Sequence, residues 1–284
     1  MLAWRAGEWR EVPAGASVAQ LEPGRSLFET FALRDGRVEA LADHLARLAA
    51  ALPFVGLAPD SLRLGGSARA ADWSPVLRPL LASAGLTDAI VRLVVVPDGR
   101  GGAIEWVTVR PLPPTSPSLG LRLLATVRDE PEWSPRPKSG PWRNSAEALA
   151  ELAAGSDPAT TEGLQFDARG HLCEGVRSGL AWLEDGRWCF PAVSTGCLPG
   201  TAAAQFRAVV ASAGRSVAEV AAPFPTRATA IVVLRSTLAG GGVVAQEVRD
   251  PVGAVVWRPT DGTEARARLA DLAAARAQRC INLL

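Results

Sequence analysis

A chain of 284 residues, 48% hydrophobic and 21% charged, is long enough to bury one large core or two modest ones. Its formal net charge of +1 gives no reason to expect nucleic acid or an anionic membrane as a partner. The four cysteines (Cys173, Cys189, Cys197 and Cys280) contain no Cys-x-x-Cys pair and only His171 lies near them, which argues against a zinc site or a disulfide framework and fits a reducing compartment.

The N-terminal MLAWRAGEWREVP has no apolar run of signal-peptide length, and no later stretch approaches a membrane span, so a cytoplasmic protein is expected. Residues 26–33 (SLFETFAL) read as a strand, close at Asp35-Gly36 and return over Val38 to Leu41. Leu45, Leu48 and Leu52 then recur at helical spacing, with Asp43 or a neighbour as cap, and His44 and Arg47 share one face of that helix. A second helix is expected from Ser74 to about Gly85, with Pro75 in its first turn. Residues 89–96 and 103–110 form a hairpin around Asp98-Gly99. The Pro-rich stretch 111–120 reads as an interdomain linker, bounded in detail as 1–112, 113–120 and 121–284.

Beyond the linker, 121–128 reads as a strand and Asn144 or Ser145 as the cap of a helix stopped by Gly155. Strands follow at about 162–167, 171–174, 179–184 and 187–190. A helix spans 201–213, strands 229–235 and 243–248 flank the loop STLAGGG, and a last helix covers 263–277. Hairpins outnumber βαβ units, so the fold class is α+β, in two domains with a cleft near the linker.

One residue stands out. Of the 30 basic residues a single one, Lys138, is lysine, and the other 29 are arginine. Arginine stays protonated at any ordinary pH, whereas a lysine amine can lose its proton and attack a carbonyl to form a Schiff base, as with pyridoxal phosphate. The plainer reading is a lone lysine on a solvated loop. Thr201, after Cys-Leu-Pro-Gly, opens a helix whose N–H groups could face an anion, or it caps that helix itself. The hydroxyls of Ser236 and Thr237 offer a second anion-facing place, or a plain turn. Glu174 could face a protonated ring nitrogen or lie exposed, and Arg47 could clamp a phosphate or be an ordinary surface arginine. No loop carries the Gly-Lys-Ser/Thr of a nucleotide phosphate site.

Taken in order, these motifs resemble the class IV aminotransferase family of fold-type IV pyridoxal phosphate enzymes. Phe28-Glu29-Thr30 with Asp35-Gly36 and His44-Leu45-Ala46-Arg47-Leu48 is similar to its N-terminal signature. Lys138 follows the linker. Glu174-Gly175-Val176-Arg177-Ser178-Gly179-Leu180-Ala181 is similar to Glu-Gly-x-x-Ser-Asn-Leu-Phe. Gly196-Cys197-Leu198-Pro199-Gly200-Thr201-Ala202 and Ser236-Thr237 complete the set. The resemblance implies that Lys138 carries pyridoxal 5'-phosphate and then transfers protons, and that Glu174 binds the pyridine nitrogen. It implies that Arg47, the Thr201 and Ala202 amides and the Ser236-Thr237 loop hold the phosphate. It also implies a homodimer.

The departures are Gly179 for Asn, Ala181 for Phe, Ala202 for the second of an Ile-Thr pair, Pro23-Gly24-Arg25 before Phe28, and the absent tyrosine, whose space Trp142 could take. The resemblance leads first to 4-amino-4-deoxychorismate lyase, a preference helped by the aromatic Trp182. Next comes a D-amino-acid or branched-chain aminotransferase, with Arg100 as a carboxylate partner, and last a non-catalytic scaffold.

Overall fold

A computed structural model describes residues 2–13, 24–113, 119–140 and 143–284. Along the chain the first elements are strands β1 (Leu2–Arg5), β2 (Glu8–Glu11), β3 (Ser26–Arg34) and β4 (Arg37–Glu39) and helices α1 (Leu41–Ala51) and α2 (Ala70–Ala84). Then come β5 (Ala89–Pro97), β6 (Ala103–Arg110), β7 (Leu119–Leu123), β8 (Ser139–Gly140), α3 (Arg143–Gly155), β9 (Thr161–Phe166) and β10 (Leu172–Gly175). The rest is β11 (Gly179–Glu184), β12 (Arg187–Pro191), α4 (Thr201–Ser212), β13 (Val217–Val220), β14 (Ala230–Leu234), β15 (Gly242–Arg249), β16 (Val255–Trp257), α5 (Thr263–Gln278) and β17 (Cys280–Asn282). The class is α+β.

Contacts divide the chain into two units. The first is Met1–Leu112, Pro137–Pro141 and Arg276–Leu284; the second is Pro113–Arg136 and Trp142–Ala275. Lys138 therefore packs with the N-terminal residues, although it follows the linker in sequence. Most of that linker, residues 114–118, lies outside the described residues.

In the first unit an antiparallel sheet runs β17-β4-β3-β5-β6-β1-β2, with β8 also pairing β3. The Asp35-Gly36 turn has φ of 49° and 72°, the paired positive values that a two-residue hairpin loop with the strands' own twist requires. Leu27, Phe31 and Leu33 of β3 join Leu41, Leu45 and Leu48 of α1 and Trp73, Leu77 and Leu80 of α2 in one core. Helix α1 starts after Ala40, a left-handed residue with φ 53° and no side-chain cap, so Asp43 lies inside the first turn and is not the cap. Helix α2 begins four residues before the expected Ser74, which puts Pro75 and Pro79 in its interior. Two interior prolines cost about 3 kcal/mol each, and burying Trp73, Val76, Leu77, Leu80 and Leu81 returns about 1.5–3 kcal/mol apiece.

Glu105 of β6 is buried, and among the described residues backbone N–H groups hold it with no cation at its side. Its Oε2 accepts the Arg63 and Leu64 N–H groups at 3.1 and 3.0 Å, and Oε1 accepts Gly65 N–H at 2.6 Å. Glu105→Ala strands those donors and is expected to cost roughly 3 kcal/mol, read as a lowered urea midpoint with unchanged slope.

The second unit carries a mixed sheet in the order β10-β9-β7-β15-β14-β11-β12-β13, with β16 on β15. Its cores gather Leu164, Leu180, Trp182, Ile231 and Val233 on one side, and Trp188, Phe206, Val210, Val232 and Leu272 on another. Strand β7 ends at Leu123, not at 128, because Glu151 of α3 captures the next segment: it accepts the Ala125 and Thr126 N–H groups at 2.7 and 2.8 Å. Asn144 and Ser145 do not cap α3, which starts at Arg143; both accept hydrogen bonds from Arg128.

Candidate active site

In the first unit, strand pleating sorts the side chains of β3. Glu29 falls in the row of Leu27 and Phe31, toward α1, and is fully buried. There Arg47 grips it with two bonds, Nε to Oε1 and Nη2 to Oε2, both 2.7 Å, and His44 Nδ1 lies 2.7 Å from Oε2. Burial alone would raise the Glu29 carboxyl; the Arg47 charge and the bonds from His44 and Arg47 outweigh it and hold it at about 2. Burial pushes His44 below its ordinary value against the pull of Glu29, so the ring is neutral and Nδ1 donates.

Phe28 points to the other face of β3. Its backbone N–H donates to the Lys138 carbonyl at 2.9 Å, and Lys138 Nζ lies 4.8 Å from its ring centroid. Arg92 Cζ sits over the same ring at 4.1 Å. Partial burial and the like charge of Arg110 both press the Arg92 guanidinium below its ordinary value, and Arg92 has no carboxylate partner among the described residues. Arg92 is the only charge in AIVRLVVV, a signal the sequence offered. Arg100 is elsewhere: it lies exposed at the β5–β6 turn, where Asp98 accepts its N–H. Trp142 lies outside the described residues.

In the second unit, α4 starts at Thr201 with Gly200 extended before it and no side-chain cap, so Thr201 does not cap its own helix. The first intrahelical bond runs from Ala204 N–H to Gly200, and no acid stands in the first turn. That leaves the Thr201, Ala202 and Ala203 amides for an anion. Ala202 turns its side chain into the core, so its N–H is what it can offer. Gly179 faces the same turn: a Cβ there would meet Ala203 Cβ at 3.2 Å, filling the cradle. Gly179 pairs with Leu234 at the end of β14, and the turn bearing Ser236 and Thr237 begins there. Buried Glu162 ties these pieces together. It accepts the Ser178 hydroxyl at 2.7 Å and the Arg177 N–H at 3.2 Å, and the Arg177 and Arg235 guanidinium groups stand 3.5 Å away.

Glu174 is buried, not exposed at a turn. Its Oε2 accepts the Leu198 N–H at 3.0 Å, and its Oε1 lies 2.8 Å from Arg128 Nε. Burial pushes the neighbouring Cys173 thiol up to about 12 and Cys197 up to about 11, so neither is a nucleophile near neutral pH. Trp182 is core, with its indole N–H 3.4 Å from Glu184, and it lends nothing to a choice of substrate. Among the described residues no acid, histidine and cysteine group could hold a metal, and no helix is long and apolar enough to cross a membrane.

An uncapped helix start beside a glycine cradle suits a phosphate, and a buried carboxylate suits a ring nitrogen. Together with a single lysine on an aromatic ring, this donor set fits a pyridoxal phosphate enzyme. The amino-transferase class IV family model matches residues 26–241, and the chain belongs to that family, whose enzymes are pyridoxal-phosphate-dependent transaminases and lyases. No curated protein matches the sequence. Among solved structures, the branched-chain aminotransferase of Thermoproteus uzoniensis with norvaline is similar, with TM-score 0.77 and 17% identity over 100% of this chain and 99% of that one. A candidate branched-chain aminotransferase from Thermotoga maritima gives 0.71 and 17% over 98% and 94%. A candidate 4-amino-4-deoxychorismate lyase from Legionella pneumophila gives 0.69 and 17% over 87% and 90%.

Proposed function

We propose that the protein is a pyridoxal-phosphate-dependent 4-amino-4-deoxychorismate lyase, releasing pyruvate and leaving 4-aminobenzoate. The observation that supports it most is the Phe28 ring shared by Lys138 and Arg92, with Arg110 diagonal to Arg92 on the next strand. Arg92 beside the reactive amine, with Arg110 next to Arg92 on the same sheet face, suits a substrate with two carboxylates, as aminodeoxychorismate has; a branched-chain amino acid has one. Bound pyridoxal phosphate supplies an electron sink linked to the substrate nitrogen. Lys138 carries that group, then takes the proton from the amine-bearing ring carbon. The adjacent C–O bond breaks, enolpyruvate leaves and gains a proton to become pyruvate, and the ring becomes aromatic. Glu174 receives the pyridine nitrogen, and the Thr201 and Ala202 amides with the Thr237 hydroxyl hold the phosphate. In this reading Arg47, whose guanidinium makes two bonds to Glu29, is a further phosphate partner.

The second reading is an aminotransferase on D- or branched-chain amino acids, favoured by the fold shared with branched-chain aminotransferases. The deciding experiment incubates the protein with pyridoxal phosphate, reduces it with borohydride, maps the adduct and then measures pyruvate from aminodeoxychorismate. An adduct at Lys138 with pyruvate formed in the absence of any keto acid is the expected result. Turnover only with a keto acid acceptor establishes the aminotransferase, and a protein that takes up no cofactor is a scaffold. Sedimentation of the loaded protein tests the expected homodimer.

A further inference from the structure

We propose that Arg128 is a positioning residue that shares the Glu174 carboxylate with the bound ring nitrogen and so keeps that nitrogen less basic than a free glutamate would. This rests on the reading that Glu174 receives a pyridine ring.

Both partners are buried, and Arg128 Nε stands 2.8 Å from Glu174 Oε1. The contact is ionic rather than a hydrogen bond: among the described residues the buried Nε–H has no hydrogen-bond partner. A guanidinium free to turn would aim that donor, but this one is pinned elsewhere. Its Nη1 donates to Asn144 Oδ1 and to Ser145 Oγ, each at 3.1 Å, and the Arg128 backbone N–H donates to the Phe166 carbonyl at 2.7 Å. Asn144 is fixed in turn, donating to the Val127 carbonyl at 2.7 Å and accepting from Gln165 at 3.2 Å. Gln165 is the strand partner of Glu174. The network therefore holds a cation against the carboxylate at a set distance and cannot relax away.

The other charged and titratable groups around the pair do not cancel this. Arg136 stands near both Arg128 and Glu174, and it is pinned by Nε to the Gly196 carbonyl at 2.7 Å. Asp129 lies 3.1 Å from Arg136 Nη1 and 3.9 Å from Arg128 Nη1. The Cys173 and Cys197 thiols remain protonated. Two guanidinium groups thus face two carboxylates, and Glu174 cannot give its full charge to a ring nitrogen. A nearby cation lowers the proton affinity of a basic nitrogen by about 1–3 pKa units when it lies within a few ångströms. The electron-withdrawing strength of a pyridine seated there then depends on Arg128 as well as on Glu174.

The test uses the full chain with 4-deoxypyridoxine phosphate labelled with ¹⁵N in the ring. That analogue cannot bond to Lys138, so the result stands apart from the chemistry assigned to the lysine. The ring nitrogen shift is followed against pH in the wild type, Arg128→Gln and Arg128→Lys. Arg128→Gln is expected to raise the ring nitrogen pKa by about 1–3 units, with Arg128→Lys staying near the wild type. If Arg128→Gln does not fold, the Asn144→Ala, Ser145→Ala pair, which releases Nη1, is expected to move the pKa in the same direction. A ring nitrogen that titrates identically in wild type and variants overturns the inference, as does failure of the wild type to bind the analogue. Failure of the catalytic reading looks different: the analogue binds and responds to Arg128, yet borohydride traps nothing on Lys138.

Discussion

Lys138→Ala is expected to leave no borohydride-trapped adduct and to lower turnover by at least about 10³-fold, since both the attachment and the proton transfer are lost. Lys138→Arg should be as inactive, because a guanidinium keeps its proton at any pH the protein survives. Stability should change little: the lost ring contact with Phe28 is worth about 0.5–1 kcal/mol. A variant that unfolds would mean that Lys138 is structural. A variant that stays folded and still turns over would remove it from the chemistry. With a single lysine in the chain, the mass map has one side chain to report on.

The largest expected effect on stability comes from Glu29→Ala. Removing one partner of a buried ion pair leaves the other uncompensated, and Glu29 serves both Arg47 and His44, so a loss of about 3–5 kcal/mol is expected in urea unfolding. The same cluster dictates an acid dependence. Glu29 falls from 4.5 in the unfolded chain to about 2 in the folded one, so the unfolded state binds more protons as pH drops. Its contribution is fully present above about 4.5 and is lost toward about 2. His44 is also lowered from 6.5, and charging it opposes folding, so the decline begins below that value. Glu29→Ala should flatten the acid limb of a stability-versus-pH curve. An unchanged limb would place the acid sensitivity elsewhere.

The parts of the fold that local chemistry determines were legible. Asp35-Gly36 needs two positive φ values, and the leucines of α1 need one buried face; both could be read from adjacent residues. The first turn of α2 could not, because its prolines argue against a helix that long-range burial of Trp73 and its neighbours enforces. The short strands β8, β13, β16 and β17 carry too few residues to show a period. Of the candidate site, Lys138 and Glu174 were visible through residue type and motif order. Arg92, the substrate partner proposed above, carries a sequence signal of its own as the lone charge in an apolar strand, whereas Arg100 sits in an exposed turn. Arg128 gave no local signal at all, since its meaning comes from a carboxylate brought to it by β10, the third strand after it along the chain.

Strand β17 has a consequence for how the protein is made. It pairs with β4, and Arg276 binds Glu39 at 2.7 Å across 237 residues of chain. A ribosome releases the first sheet's strands early, but the strand that covers β4 emerges only after every strand of the second sheet. Until then the β4 edge stays open to pairing with another nascent chain. Chaperone capture of the nascent chain should therefore persist after synthesis passes Leu112 and fall only once β17 has left the ribosome.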